Sequence, residues 1–458
     1  MSAVDQYIEL WRSNKALMES KSPQVLNSLR EGAAEWLASN PLTAVSAENY
    51  AHTDLEALLS PDFGVNVARV PFKVNPAESF RCDVPHLSTS LFLVVNDMFA
   101  ATAGCRDNLP DGVEVMSLAS YAAENPEFVA QYYGRLADAE NPIVALNTLL
   151  CQDGVVVRVG KGVRVESTIQ LVNIFNSLNP LLAARRLLIV MEEDSEAKML
   201  VCDHTQTPDV QFCSLQVVEI YAGKGSRLDF YDLEESTSST TRLSSLYLRQ
   251  EEESEVLLDS MTLYNGTTRN EFFTRFAGRH ARLRMLGMGI EDKQRRLDTY
   301  SRIAHDVPEC NTDELFKYVV EDEAMGAFAG LIYVAEGASK TEAFQSNRNL
   351  VGSSGARMHS KPQLEIYNDD VKCSHGTAIG QLDEQQLFYM LTRGLSEEEA
   401  RLMLKQAFMS DVIDGIALPP LRDRLKLMVE RRFAGEMSAC ASCTIHNSKC
   451  GNHDSDGY

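Results

Sequence analysis

At Val155-Val156-Val157-Arg158-Val159-Gly160-Lys161-Gly162-Val163-Arg164-Val165 the pattern of the sequence changes from helical to strand-like. Two apolar, β-branched segments flank a glycine-containing turn, which predicts a strand, a turn and a second strand. Short apolar segments separated by turn-forming residues continue as far as Gly380, and no long helical pattern interrupts them. Clear examples lie at 169–174, 186–191, 215–220, 256–259, 282–286 and 327–333. The sequence therefore predicts a mainly β fold with a core at 152–380.

A succession of short strands fits a sandwich, a barrel or a β-solenoid, and composition alone does not choose among them. No crisp repeat is visible, which disfavours a regular hexapeptide β-helix. In a solenoid, each coil would form its hydrogen-bond ladders with the coils above and below it. The two ends of such a stack would stay open for pairing with another chain.

The residues before the β core carry a helical pattern. Ser22-Pro23 fits a helix start, with serine as the N-cap and proline at the first position. Apolar side chains then recur at a spacing of 3.6 residues as far as Leu37. We therefore expect an N-terminal helical and mixed region at 1–151.

Helical patterns return after Gly380. Ser396-Glu397-Glu398-Glu399 is a capping box, and Pro420 opens a further helix that runs to about Phe433. The apolar stripes of this region, at 381–436, could close against one another and cap the solenoid, or one of them could dock on a partner. The remaining residues, 437–458, form a tail rich in cysteine and histidine, which we expect to be flexible.

Composition describes an ordinary globular protein without a membrane anchor. The chain has 458 residues, 44% apolar and 24% charged, which is enough for two or three domains. Its formal net charge of −22 repels phosphate backbones and anionic lipids, so neither nucleic acid nor a membrane is an expected partner. The first residues lack the basic and apolar regions of a secretory signal, which predicts a cytoplasmic protein with reduced thiols.

Two potential ligands lie two positions apart near the end of the β core. On an extended backbone, Cys373 and His375 face the same side. A thiolate beside an imidazole suits iron or zinc. The same pair could instead be a nucleophilic cysteine with its base, for which Asp369 or Asp370 could act as the orienting third group. The simplest alternative is a buried cysteine beside an ordinary histidine.

The tail carries a second group of soft ligands. A C-x-x-C pair is followed closely by histidine, cysteine and histidine, and four such ligands could hold zinc or iron in a tetrahedron. The alternative is a disordered tail without a specific role. The residues concerned are Cys440, Cys443, His446, Cys450 and His453.

Several motifs are missing from the sequence. It contains no G-x-x-x-x-G-K-[ST] phosphate cradle, so we expect this chain to bind and hydrolyse no nucleotide itself. Gly287-Met288-Gly289 lacks the third glycine and the strand–helix context of a dinucleotide fingerprint. No hydrolase nucleophile elbow or zinc-protease motif is present.

A dense set of short motifs between 339 and 414 resembles the SufB/SufD family of iron–sulfur cluster assembly proteins. The block at 369–376, Asp-Asp-Val-Lys-Cys-x-His-Gly, is typical of SufD, because SufB carries a Glu-His-Glu-Ala element there. The other matching motifs are Asn347-Arg348-Asn349-Leu350, Pro362-x-Leu364-Glu365-Ile366, Gly380-x-Leu382-Asp383-Glu384-x-Gln386-Leu387-Phe388-Tyr389 and Arg393-Gly394.

The resemblance implies a right-handed parallel β-helix and a non-catalytic scaffold subunit. Such a subunit would pair with a SufB-like paralogue through the solenoid, or with a second copy of itself in isolation. Cys373 and His375 would then contribute to a transient iron–sulfur cluster, or to iron, at the interface between the subunits. The C-terminal helices would carry a SufC-like ATPase, with Leu387, Phe388, Arg393 and Phe408 as expected contacts.

Two alternatives to an assembly scaffold remain at this point. One is a β-solenoid interaction protein without a metal role. The other is an enzyme that uses Cys373 as a nucleophile, although parallel side chains on one strand suit shared ligation better than directed proton transfer.

Overall fold

The computed structural model of the protein describes residues 2–42, 49–71, 89–100 and 108–435. In the N-terminal part, α1 begins with a capping box in which the side chains of Ser2 and Asp5 each bind the other's backbone. Apolar faces of these helices pack on one another and on the first coils of the β core. The helices are α1 (Ala3–Lys21), α2 (Gln24–Ser39), α3 (Leu55–Leu59), α4 (Leu118–Glu124), α5 (Pro126–Tyr132) and α6 (Pro142–Leu150).

Short strands make up most of the remaining structure. The first three are β1 (Thr89–Val95), β2 (Met98–Ala100) and β3 (Val113–Ser117). The strands that follow are β4 (Val155–Val159), β5 (Thr168–Phe175), β6 (Leu181–Met191), β7 (Glu196–Thr205), β8 (Phe212–Ala222), β9 (Arg227–Glu235), β10 (Thr240–Gln250), β11 (Glu255–Tyr264), β12 (Thr267–Phe276), β13 (Arg282–Glu291), β14 (Arg296–His305), β15 (Asn311–Val320), β16 (Met325–Val334), β17 (Glu342–Val351), β18 (Arg357–Ile366) and β19 (Lys372–Gly380).

These strands form a β-solenoid of about eight coils, as the family resemblance implies. Even-numbered strands from β4 to β18 pair in parallel in one sheet, and odd-numbered strands from β5 to β19 pair in parallel in the other. Each coil therefore contributes one strand to each sheet. Register partners in successive coils lie between 26 residues apart, for Thr241 and Thr267, and 32 apart, for Met325 and Arg357. This variation explains why no crisp repeat is visible in the sequence.

The two ends of the solenoid differ. At the N-terminal end, β2 pairs antiparallel with β1 and β3 pairs antiparallel with β4. At the C-terminal end, β18 and β19 are the last strands of their sheets, and no further strand covers them within the described part of the chain. We call the end formed by β18 and β19 the open end.

The space between the two sheets is filled by alternate side chains of each strand. Most of its length is apolar, with Met285, Phe316 and Phe328 near the open end. Gly287 and Gly289 of β13 point into this core, where a Cβ atom would clash with the rings of Phe316 and Tyr318. Their role is thus to make room for aromatic packing, which agrees with the absence of a dinucleotide fingerprint.

One local prediction is wrong. The residues after the turn at 160–162 form no second strand, and Arg164 makes only an isolated bridge to Glu196. Gly162 adopts a φ of +68°, and the chain turns a corner of the coil there before β5 begins in the opposite sheet. The strand β4 pairs instead with β3 and β6.

Up to residue 435, three helices follow the solenoid, namely α7 (Glu384–Thr392), α8 (Glu397–Ile413) and α9 (Pro419–Phe433). The predicted capping box of Ser396 and Glu399 is present at the start of α8. The helices α8 and α9 cover the outer face of the odd-numbered sheet, where Met409, Leu421 and Leu425 are buried against it. In the part of the chain that the structure describes, no helix combines the length and the apolar character needed to cross a bilayer.

Candidate functional site

Cys373 and His375 lie on β19, the edge strand at the open end. The strand pairs with β17 alone, so the backbone groups of its other edge have no neighbouring strand among the described residues. Cys373 is half-buried and His375 is exposed. The two predicted ligands therefore sit at the rim of the solenoid.

Cys373 points toward the space between the sheets. It packs beside Leu364 and Val371 against a small apolar cluster that contains Ile332 and Ala343. Burial raises the pKa of its thiol, although the backbone N–H of Ala343 acts in the opposite direction. In the isolated chain this sulfur is thus a protonated thiol rather than an activated thiolate.

His375 shares the inward-facing side of β19 with Cys373, because the two are separated by two positions. Thr377 and Ile379 continue the same side, and the side chain of Ile379 is 51% exposed although it faces the interior of the coil. The hydroxyls of Thr377 and Ser360 of β18 lie 2.7 Å apart. Interior positions of the last coil are therefore accessible from outside, because no coil built from the described residues lies above them.

The geometry does not favour a cysteine nucleophile. Asp369 and Asp370 lie in the exposed turn before β19, and within the described residues neither carboxylate is hydrogen-bonded or ion-paired to His375. The raised pKa of the Cys373 thiol is also opposite to the shift that activates a nucleophile. Over the described ranges, the protein by itself presents no group of three or more metal-ligating side chains. A metal held by Cys373 and His375 would need further ligands from outside these residues.

The predicted partner contacts divide into two kinds. Leu387 is buried, and Phe408 packs against the apolar cluster beneath α8, with its backbone oxygen bound by Nζ of Lys317 at 2.7 Å. Phe388 is 67% exposed, and Arg393 is exposed with its guanidinium over the ring of Tyr389. Only the second kind presents a surface to a partner.

An exposed apolar surface lies on α7 and the neighbouring part of α8. Tyr389 of α7 is 57% exposed, and Met403 of α8 is 48% exposed. We call Phe388, Tyr389, Leu391 and Met403 the α7 patch. Only the loop 381–383 separates β19 from α7, so this patch lies directly after the strand that carries Cys373 and His375.

The cysteines outside this site follow two patterns. Cys151, Cys202, Cys213 and Cys310 are buried. The tail ligands lie outside the described residues. They are Cys440, Cys443, His446, Cys450 and His453.

Sequence analysis missed the residues beneath His375. In register, His375 lies over Gln345 of β17, and Gln345 lies over Glu314 of β15. Both are almost completely buried. In the sequence, Glu314 and Gln345 are each visible only as a polar residue in an otherwise apolar strand pattern. Because the coil length varies, the sequence does not show which polar residue lies below His375.

Comparison with known proteins gives the same family for both halves of the chain. A family model described as "SUF system FeS cluster assembly, SufBD core domain" matches residues 174–408, and one described as "SufBD protein N-terminal region" matches residues 1–171. An iron–sulfur cluster assembly SufBD family protein of Synechocystis is 30% identical over 428 residues, which cover 91% of this chain and 93% of that protein.

Two proteins named iron–sulfur cluster assembly protein SufD are also similar. The one from Bacillus subtilis is 25% identical over 359 residues, covering 76% of this chain and 80% of that protein. The one from Escherichia coli is 34% identical over 176 residues, covering 38% of this chain and 42% of that protein.

Proposed function

The chain belongs to the SufBD family of iron–sulfur cluster assembly proteins, and on that premise we propose that it is the SufD-like subunit of a SUF-system scaffold. In this proposal it pairs with a SufB-like paralogue through the open end and carries a SufC-like ATPase on its C-terminal helices. It supports iron acquisition and nascent cluster formation in the cytoplasm, and catalyses no reaction itself.

The observation that supports the proposal most directly is the position of Cys373 and His375. A thiol and an imidazole on one side of an edge strand can meet ligands from a second chain that adds to that edge. The cluster or iron is cargo in this scheme, and the second chain completes the set of ligands. A scaffold of this kind needs no nucleophile and no nucleotide of its own.

The arrangement also supports transmission from the ATPase to the cargo site. The α7 patch would receive the ATPase, and a cleft of about 430 Å³ lies between β19, α7 and α8. This cleft is lined by Ala378, Gln386 and Phe408, among others. Nucleotide binding by the ATPase would then shift the population of arrangements at the open end.

Replacement of His375 tests the proposal. We expect His375→Ala to reduce cluster maturation in cells severalfold while the variant still folds and retains the ATPase, because an exposed edge residue contributes little to packing. The matched control is His280→Asn, at an exposed turn where φ is +61°, a conformation that asparagine tolerates. Normal maturation in the His375 variant would contradict the proposed site.

A further inference from the structure

The interior of the solenoid changes from apolar to polar in the coils directly beneath His375. Four inward-facing residues in register, one from each successive coil of the odd-numbered sheet, are Met285, Glu314, Gln345 and His375. Met285 belongs to the apolar core, whereas the three above it are polar. Adjacent parallel strands are about 4.8 Å apart, so each of these side chains lies next to the one above it.

Gln345 is held in place from below and from the opposite sheet. Its side chain is 3% exposed, and its Nε2 donates a hydrogen bond of 2.6 Å to a carboxylate oxygen of Glu314. Gly330 of the even-numbered sheet faces it, and a Cβ atom at that position would clash with the Gln345 amide. The side chain therefore has little freedom to move.

The orientation of this amide follows from its partner. Burial raises the pKa of the Glu314 carboxyl to about 7, and above that pH the ionised carboxylate only accepts hydrogen bonds. The Nε2 atom of Gln345 then faces Glu314, and the Oε1 atom faces elsewhere. That Oε1 is buried and has no hydrogen-bond partner among the described residues. A buried acceptor left without a donor costs about 1–3 kcal/mol of stability, so a donor placed next to this oxygen would stabilise the folded protein. The next side chain in the column is the imidazole of His375.

We propose that Gln345 is a positioning residue for His375, whose ring N–H donates to Oε1 of Gln345 while its other nitrogen faces the open end. Glu314 acts through Gln345, because it selects the orientation of the amide. Histidines that bind metals commonly donate their second ring N–H to a carbonyl or carboxylate, which fixes the tautomer. The inference rests on the proposed function for the role of the free nitrogen, which would bind iron.

The first test reads the histidine itself and needs no cluster. In the full chain labelled with ¹⁵N-histidine, the imidazole nitrogen shifts of His375 report its tautomers, and the His375→Ala spectrum assigns them. We expect one dominant tautomer in the native protein and a mixture of two in Gln345→Leu. The control Asn349→Leu removes another buried amide from the same side of β17, beneath Ile379 instead of His375, and should leave the His375 signals unchanged.

A second variant guards against misfolding of the first. Glu314→Gln keeps the shape of the column but removes the charge that orients Gln345, so it should also mix the tautomers. Unchanged His375 signals in both Gln345→Leu and Glu314→Gln would overturn the inference. So would an equal change in Asn349→Leu, because the effect would then be general loosening of the coil.

The third measurement separates the inference from the proposed function. Anaerobic titration of the complex of this chain with its paralogue, using Fe²⁺ alone, should show about 10-fold or more weaker binding in Gln345→Leu. If His375→Ala leaves iron binding and maturation intact, the proposed function fails, while the tautomer result still decides the role of Gln345. Mixed tautomers with unchanged Fe²⁺ affinity would contradict the positioning role toward iron.

Discussion

The Nζ atom of Lys317 in β15 lies 2.5 Å from a carboxylate oxygen of Asp411 in α8. The Lys317 side chain is 4% exposed and also donates to the backbone oxygen of Phe408. Because Lys317 belongs to the solenoid and Asp411 to the helices, this contact ties the proposed ATPase-binding region to the coils that lead to the open end. It is one of several polar contacts between the solenoid and the C-terminal helices, since Arg432 of α9 also donates to the carbonyl oxygens of Leu263 and Ile290.

Lys317→Met should loosen that tie. The substitution retains most of the apolar stem but leaves the Phe408 carbonyl without its donor, so we expect a loss of about 1–3 kcal/mol in the free energy of unfolding. Urea unfolding measures the loss, and hydrogen exchange should become faster in α8 before it does in the solenoid. Lys340→Met, at a 67% exposed ion pair, is the control and should change neither. Equal stability of the Lys317 variant and the native protein would show that the tie is dispensable.

The α7 patch should be needed for the ATPase. Phe388→Asp places a charge on a 67% exposed apolar surface, so it should abolish co-purification of a SufC-like ATPase without reducing stability. Leu178→Asp makes the same kind of change at a 90% exposed leucine far from α7 and should have no effect. Substitution is a better test than removal of 381–436, because removal would expose the apolar face beneath α8 and α9. Retention of the ATPase by the Phe388 variant would refute this docking surface.

The Asp259 carboxyl should make the protein less stable as the pH rises from about 4 to about 7. Burial raises the pKa of this carboxyl to about 7, because its oxygens have no hydrogen-bond partner among the described residues. The folded state therefore binds more protons than the unfolded state between the unfolded and folded pKa values, and this contribution is lost as the pH passes 7. Asp259→Asn should reduce the slope and be more stable at pH 8. Thermal unfolding across this pH range checks it, and an unchanged slope would exclude the effect.

Gly287→Ala should destabilise the solenoid. The added methyl group would clash with the Phe316 ring inside the core, and overpacking of this kind costs about 1–3 kcal/mol. Gly337→Ala is the control, since a Cβ atom there would meet nothing within 4 Å. The midpoint of urea unfolding should shift only for the first variant. Equal midpoints would mean that the coil widens at no cost.

The tail should increase the metal content of the protein if its cysteines and histidines act together. Four of its five soft ligands suffice for a tetrahedral zinc or iron site. Metal analysis of the full chain and of residues 1–436, both purified without oxygen, measures the difference. Equal metal content in the two would reject a role for the tail in metal binding.

The sequence predicts where the strands and helices lie better than it predicts which strands pair with one another. The apolar segment at 327–333 and the capping box of Ser396 and Glu399 are local signals. The first lies in β16 and the second starts α8. The second strand predicted at 163–165 is absent because the chain turns a corner of the coil after Gly162, and only Arg164 forms an isolated bridge there. Local propensity does not distinguish these two outcomes.

The candidate site was predictable only in part. Spacing alone places Cys373 and His375 on one side of a strand, and this is how they lie. Gln345 is 30 residues before His375 and Glu314 is 31 before Gln345, and such separations vary from coil to coil. The contact between them depends on register, which is a property of the whole stack.

Because no described strand covers β18 and β19, the relative amounts of the two proposed subunits have consequences in the cell. Under the proposed pairing, a copy made in excess of its paralogue keeps bare strands that can template β-pairing with another copy. Balanced synthesis of the two subunits would therefore protect against self-association as well as support assembly.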